Sequence, residues 1–260
     1  RRNGIGRGAI GAARPAIYSA WACIFWGCRL GSWPDCTDKG DMRRGQLILF
    51  VKAPRLGAVK TRLGAAVGRL AARRFYDAML IRLWRRLGHD DRWRTILVVS
   101  PDRGAARWPT GLPRHPQGQG DLGERMARAM RAQSGPVVLV GGDIPDLDKH
   151  HVAQALRALK RADVVFGPAV DGGFWLVGLR RGPWAGRLFH QVRWSSPHAL
   201  ADTLANLPQT ARVAVLETLR DVDTPADYAN YLAPQKTKDR LINVPAGGAS
   251  VRQNYRGGNG

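Results

Sequence analysis

The sequence predicts an α/β domain with a mostly parallel central sheet flanked by helices. Three observations carry that prediction. Short, nearly continuous apolar runs such as "GQLILFVK", "PVVLVGGD" and "ADVVFGPA" have the pattern of strands buried on both faces. Stretches of helical period separate them. The alternation runs from about Met42 to about Pro234, with no internal repeat and no linker that splits it.

In order along the chain, "GQLILFVK" is the first strand and opens into a basic loop. Val67, Ala71, Phe75, Met79, Leu83 and Leu87 form an i, i+4 ladder with arginines at other positions, predicting an amphipathic helix that ends at Gly88. "RTILVVS" is a strand stopped by Pro101. "DLGERMARAMRAQ" has an acidic first turn and reads as a helix. "PVVLVGGD" is a buried strand, "HHVAQALRALKR" a helix, and "ADVVFGPA" and "GFWLVGLR" two further strands. "SPHALADTLANL" reads as a helix opened by Ser196 and Pro197. "ARVAVLE" is a strand and "TPADYANYL" a short closing helix.

With 260 residues and 44% hydrophobic content, the chain is able to bury one large core or two modest ones. No apolar run approaches the ~18 residues of a membrane span. Forty-one Lys and Arg against 20 Asp and Glu give a net charge of +21. The cations are nearly all arginine, spread along the chain rather than in blocks interleaved with aromatics. That pattern argues against a dedicated nucleic-acid role, although it implies non-specific binding to polyanions at low salt. Cys23, Cys28 and Cys36 all fall in the first 41 residues, so the main domain reads as cysteine-free and cytoplasmic. Residues 1–41 have no sustained period. A signal peptide ("AIYSAWACIFWGC" behind Arg1, Arg2 and Arg7) competes there with a non-native or disordered extension ahead of a natural start at Met42; the second is the expectation. The Gly/Asn-rich residues 235–260 read as a disordered tail, leaving 42–234 as the domain.

In parallel sheets ligands gather at the carboxyl ends of strands, so polar groups that follow strands matter most. Four such clusters occur. "FVKAPRLGAVKTRLG" (residues 50–64) holds Lys52, Arg55, Lys60 and Arg62 around Pro54, Gly57 and Gly64, either a cradle for phosphates, though without P-loop spacing, or a solvated basic loop. "GGDIPDL" puts Asp143 at a strand end, where a carboxylate suits Mg²⁺ or Mn²⁺, while Asp148 is expected to cap the next helix. In "DGGF", Asp171 with Gly172 and Gly173 is either a ligand-approaching turn, with Asp171 binding a hydroxyl or acting as base, or a plain Asp-Gly hairpin. "LRDVDTPADY" carries Asp221 and Asp223 just before a helix that Thr224 caps. The six histidines show no metal-ligand spacing, and no G-x-S-x-G elbow supports a hydrolase triad.

Taken in order, "FVKAPRLGAVKTRLG", "PQGQGDLGERM", "GGDIPDL", "GPAVDGGFWLVGL", "WSSPHALADTL" and "DVDTPADY" resemble a bacterial glycosyltransferase-like family. That family, often labelled arsenosugar-biosynthesis glycosyltransferase, belongs to the GT-A nucleotide-diphospho-sugar transferase superfamily. The resemblance runs from about residue 46 to 232 and implies a single Rossmann-like GT-A domain that binds a nucleotide or nucleotide-sugar through a divalent metal. It implies that Lys52, Lys60 and Arg62 hold phosphates, that Asp143 and Asp223 hold Mg²⁺ or Mn²⁺, and that Gln117, Asp121, Glu124 and Arg125 contact nucleotide or acceptor. For Asp121, ordinary helix capping is the rival role. Where family members usually read G-T-D, this chain has Gly141-Gly142-Asp143. The function implied is a metal-dependent glycosyltransferase with a nucleotide-diphospho-sugar donor, Lys60 stabilising the leaving group and Asp171 meeting the sugar or acceptor. The alternative is a nucleotidyltransferase joining an NTP to a phosphorylated small molecule with release of pyrophosphate. A polyanion-binding protein without catalysis is the reading from a different class.

Overall fold

In the computed structural model, which describes residues 44–102, 106, 108–181 and 184–233, each of these apolar runs forms a strand. The elements are β1 (Gly45–Lys52), α1 (Thr61–Val67), α2 (Arg69–Leu87), β2 (Trp93–Ser100), β3 (Arg114–Pro116), α3 (Leu122–Arg131) and β4 (Val137–Val140). They continue with α4 (Lys149–Ala158), β5 (Val164–Pro168), β6 (Phe174–Leu179), α5 (Ala185–Leu188), α6 (Ala199–Ala205), β7 (Val213–Val215) and α7 (Pro225–Leu232). Residues 1–41, with the competing signal-peptide reading, and the tail 235–260 lie outside the described residues.

One seven-stranded sheet has the order β3-β2-β1-β4-β6-β5-β7. β6 is antiparallel to both β4 and β5, and the other pairings are parallel. The mostly parallel expectation holds, with one reversed strand inserted by the tight 169–173 turn. Period-two alternation explains why β1 is apolar throughout. Leu47, Leu49 and Val51 join the core on one face, with Tyr76, Leu80, Leu83 and Leu87 of α2 and Val152 and Ala155 of α4. Ile48 faces the other core, with Met126 and Met130 of α3 and Phe166 and Val177.

Two predicted elements are corrected. The ladder through Val67, Ala71 and Phe75 does not run on one helix, because Gly68 adopts φ 87° and separates α1 from α2. The buried stripe is Ala72, Tyr76, Met79, Leu80, Leu83 and Leu87, while Phe75 stacks edge-on against Tyr228 and Tyr231 of α7 at 5.0 and 5.4 Å. Ser196 does not cap α6. The helix starts at Ala199, and the Ser196 hydroxyl instead donates to the Arg193 carbonyl and accepts the His198 N–H.

Six strands point the same way, so the segments after β1, β4, β5 and β7 emerge at one edge of the sheet. Backbone bonds tie them together there: Val222 N–H donates to the Asp143 carbonyl, and Val170 N–H to the Leu219 carbonyl.

Candidate active site

The cleft at that edge has a volume of about 850 Å³. Its polar end is built from three loops. After β1 the chain turns through Gly57 and reaches Lys60, which takes a left-handed conformation (φ 49°, ψ 47°) immediately before α1. That conformation is costly for a residue with a Cβ, on the order of 1–3 kcal/mol, and persists only where surroundings impose it. The side chain that Lys60 carries is held by carboxylates. The Lys60 ammonium, with its side chain 4% exposed, lies 2.9 Å from Asp143 Oδ2 and 3.5 Å from Asp223 Oδ1. Arg62 reaches the other Asp223 oxygen from the solvent side at 3.4 Å.

Burial works against the charge on Lys60. Asp143, then Asp223 and Asp221, outweigh it and hold the ammonium above its ordinary value. Asp221 shows the opposite balance: burial first, then the negative charges of Asp143 and Asp171, pushes its carboxyl up to about 6. The cleft thus concentrates carboxylates around one buried cation. Tyr76 completes the β1 end, its hydroxyl accepting the Lys52 N–H at 3.1 Å and donating to the Lys52 carbonyl at 3.2 Å. Burial and then Asp143 push its phenol above the ordinary value, so Tyr76 acts as a neutral pin on the strand end.

The other end of the cleft is aromatic and basic. Phe50, Leu122, Met126, Phe174, Trp175 and Trp194 line it together with Arg125. Gln117 is buried and donates to the Val51 and Val98 carbonyls, and its carbonyl oxygen accepts from Arg125. The shielded indole N–H of Trp194 has no hydrogen-bond partner among the described residues.

Of the expected site residues, Lys52, Lys60, Arg62, Gln117, Arg125, Asp143, Asp171, Gly173 and Asp223 line this one cleft. Pro54, Gly57, Asp121, Glu124 and Gly172 do not. Gly57 shapes the basic loop with a positive φ of 74°. Asp121 and Glu124 satisfy each other in a reciprocal capping box at the start of α3, the rival role foreseen for Asp121. Gly172 lies against Pro197, whose carbonyl oxygen sits 2.3 Å from where a Cβ would be. The "DGGF" turn is a β5–β6 hairpin and also borders the cleft: Asp171 accepts the Gly173 N–H at 2.9 Å while facing the acidic group. Asp148 caps α4.

Sequence reasoning did not single out Tyr76 or Trp194. Trp194 opens the "WSSP" stretch that marked a motif, but Tyr76 lies mid-helix and carries no local signal. The structure also gathers His150, His151 and Glu217, with ligand atoms within 4.8 Å of one another and outside the cleft lining. His151 Nδ1 accepts the Asp148 N–H, so in the neutral ring Nε2 carries the proton and donates to Glu217 at 3.0 Å. That ring caps a helix and offers no lone pair to a metal.

The Asp143–Asp223 pair does suit a divalent cation. Both residues present hard oxygen donors, and they already close on a single ammonium.

Comparison with known proteins agrees with this architecture. The family model described as "Uncharacterized protein conserved in bacteria (DUF2064)" matches residues 83–196. The chain is 29% identical over 203 residues to phosphoenolpyruvate guanylyltransferase of Mycobacterium marinum (strain ATCC BAA-535 / M), covering 65% of this chain and 94% of that protein. It is 27% identical over 203 residues to phosphoenolpyruvate guanylyltransferase of Mycolicibacterium paratuberculosis (strain ATCC BAA-968 / K-10), covering 68% and 92%. A crystal structure from Desulfovibrio desulfuricans G20, described as a nucleotide-diphospho-sugar transferase, is 30% identical with a TM-score of 0.68, covering 75% of this chain and 89% of that one. These likenesses support a nucleotidyltransferase-like fold and carry nothing specific to arsenosugar chemistry. The chain is a transferase with that fold; it belongs to one family with the Desulfovibrio protein, and its residues 83–196 match the DUF2064 model.

Proposed function

We propose that this protein transfers a nucleotidyl group from a nucleoside triphosphate to a small anionic acceptor, releasing pyrophosphate. The observation that carries the reading is the buried Lys60 ammonium held against Asp143 and Asp223 at the strand ends, beside Arg62. A site of that composition handles phosphate and a divalent cation together. The two guanylyltransferases that the chain matches over nearly their whole length favour nucleotidyl over glycosyl transfer.

In this reading an acceptor oxygen attacks the α-phosphorus, the bond to the bridging oxygen breaks, and pyrophosphate leaves. Lys60, Arg62 and Lys52 bind the phosphates and stabilise the charge that develops on the leaving group. Asp143 and Asp223 hold Mg²⁺ or Mn²⁺, which when bound neutralises phosphate charge as a Lewis acid. Tyr76 fixes the backbone from which Lys52 extends. Arg125, the Trp194 N–H and the Phe174 and Trp194 rings orient the base or acceptor, and Asp171 faces the acceptor. An acceptor that is already an oxyanion needs no general base, so orientation suffices for Asp171.

The test is pyrophosphate release by the full chain with each NTP, Mn²⁺ or Mg²⁺, and a phosphorylated acid, GTP with phosphoenolpyruvate first. Release dependent on one NTP, the metal and the acceptor supports the reading. The Desulfovibrio protein favours a second one, glycosyl transfer. No pyrophosphate from any NTP, together with nucleoside diphosphate from a nucleotide-sugar, moves the assignment there.

A further inference from the structure

We propose that Lys60 is a resident counter-cation that a divalent metal must evict, so that metal and nucleotide bind cooperatively. The inference rests on the reading above, in which Asp143 and Asp223 take the metal. The geometry makes the competition direct. The ammonium lies 2.9 Å from an Asp143 oxygen and 3.5 Å from an Asp223 oxygen. A divalent ion on the same two carboxylates would share their immediate space with a second positive charge. Repulsion at such a separation opposes double occupancy: the Lys60 side chain is 4% exposed, although the Asp143 and Asp223 side chains are 40% and 34% exposed. The two cations therefore exclude each other.

Departure of Lys60 needs no backbone rearrangement, because the ammonium rides on a flexible four-carbon stem. It does need a new anionic partner, since a buried ammonium left unpaired is costly. Nucleotide phosphates delivered beside Lys52 and Arg62 would be that partner, with charge-assisted bonds replacing those given up. Without nucleotide, the metal meets an occupied carboxylate pair and binds weakly. With nucleotide, the ammonium moves to phosphate and the pair opens. Arg62 does not have this role, because it approaches Asp223 from solvent with its own side chain 68% exposed.

The experiment is Mn²⁺ binding to the full chain without nucleotide, followed by the electron paramagnetic resonance signal of free Mn²⁺. Lys60→Met should bind Mn²⁺ more tightly than wild type, on the order of tenfold, within the usual range of site-to-site coupling. Lys60→Arg, which keeps the charge, should stay near wild type. Equal or weaker binding by Lys60→Met overturns the eviction and leaves the transfer reading to its own pyrophosphate test. No Mn²⁺ binding by either form overturns it as well and leaves the metal's part in transfer to the pyrophosphate test. Should Lys60→Met not fold, the wild-type Lys60 Nζ resonance, identified by its absence in Lys60→Arg, decides the matter. It should shift as Mg²⁺ and nucleotide are added together and barely move with low Mg²⁺ alone. A resonance unmoved by saturating Mg²⁺ and nucleotide overturns the proposal.

Discussion

Asp143 does two jobs at the residue scale. It partners a buried ammonium and, in the proposed reaction, a metal. Asp143→Ala should abolish divalent-dependent nucleotide binding, read by calorimetry with and without Mn²⁺; binding that keeps its metal dependence would remove Asp143 from the site. The same change should cost less stability than the ~3–5 kcal/mol typical of breaking a fully buried pair, because Asp143 is 40% exposed and Asp223 still faces Lys60. Gly142 is equally constrained for a different reason. A Cβ there would stand 2.9 Å from Leu80 Cδ2 and 3.0 Å from Val51 Cγ1. The departure from G-T-D thus matches a crowded strand end beside the Tyr76 hydroxyl.

Helix caps place the acidic loops at the scale of elements. The Asp227 carboxylate accepts from the N–H groups of Asp223 and Thr224 and from the Thr224 hydroxyl, and the Thr224 hydroxyl accepts the Asp227 N–H. The box that starts α7 therefore also fixes the backbone of Asp223. Thr224→Ala should cost about 1 kcal/mol, the usual worth of an N-cap. It should also weaken metal-dependent nucleotide binding severalfold. Urea midpoints and calorimetry on one sample separate the two effects, and a stability loss with unchanged binding would show that the cap does not position Asp223.

The outer strands of the whole molecule are joined by a charged clasp. Asp163, just before β5, accepts from the Arg212 N–H at 3.1 Å and pairs with the Arg212 and Arg180 guanidinium groups. It thereby links the starts of β5 and β7 to the end of β6. Hydrogen bonds from the Arg212 backbone and side chain, with Arg180 beyond, hold its carboxyl below the ordinary value. The sign follows from linkage. The unfolded carboxylate takes up its proton first as pH falls, so the clasp stabilises fully above about pH 4 and is lost below it. Asp163→Asn should lower the urea midpoint at neutral pH and flatten its decline in acid. A variant that loses stability equally at all pH values would show that packing, not charge, is at stake there. On the same scale the +21 charge predicts salt-sensitive adhesion to polyanions, measurable as binding to heparin that falls as salt rises.

Local chemistry made much of this legible before any coordinates. Apolar runs long enough for a strand, helical periods between them, and Asp or Thr ahead of a helix act within a few residues, so strands, caps and fold class could be read directly. That the basic loop after β1 and the strand-end Asp143 would meet was legible because parallel sheets gather polar groups at one edge. The structure decided what depends on distant segments meeting. Lys60, Asp143 and Asp223 are separated by 83 and 163 residues from the lysine and touch only because β1, β4 and the segment after β7 converge. Tyr76 became a site residue through its place on the buried face of α2, and Gly68 broke a ladder that looked continuous as a string. Periodicity records what one segment prefers, whereas the pairing of a buried cation with two remote carboxylates is a property of the packed sheet alone.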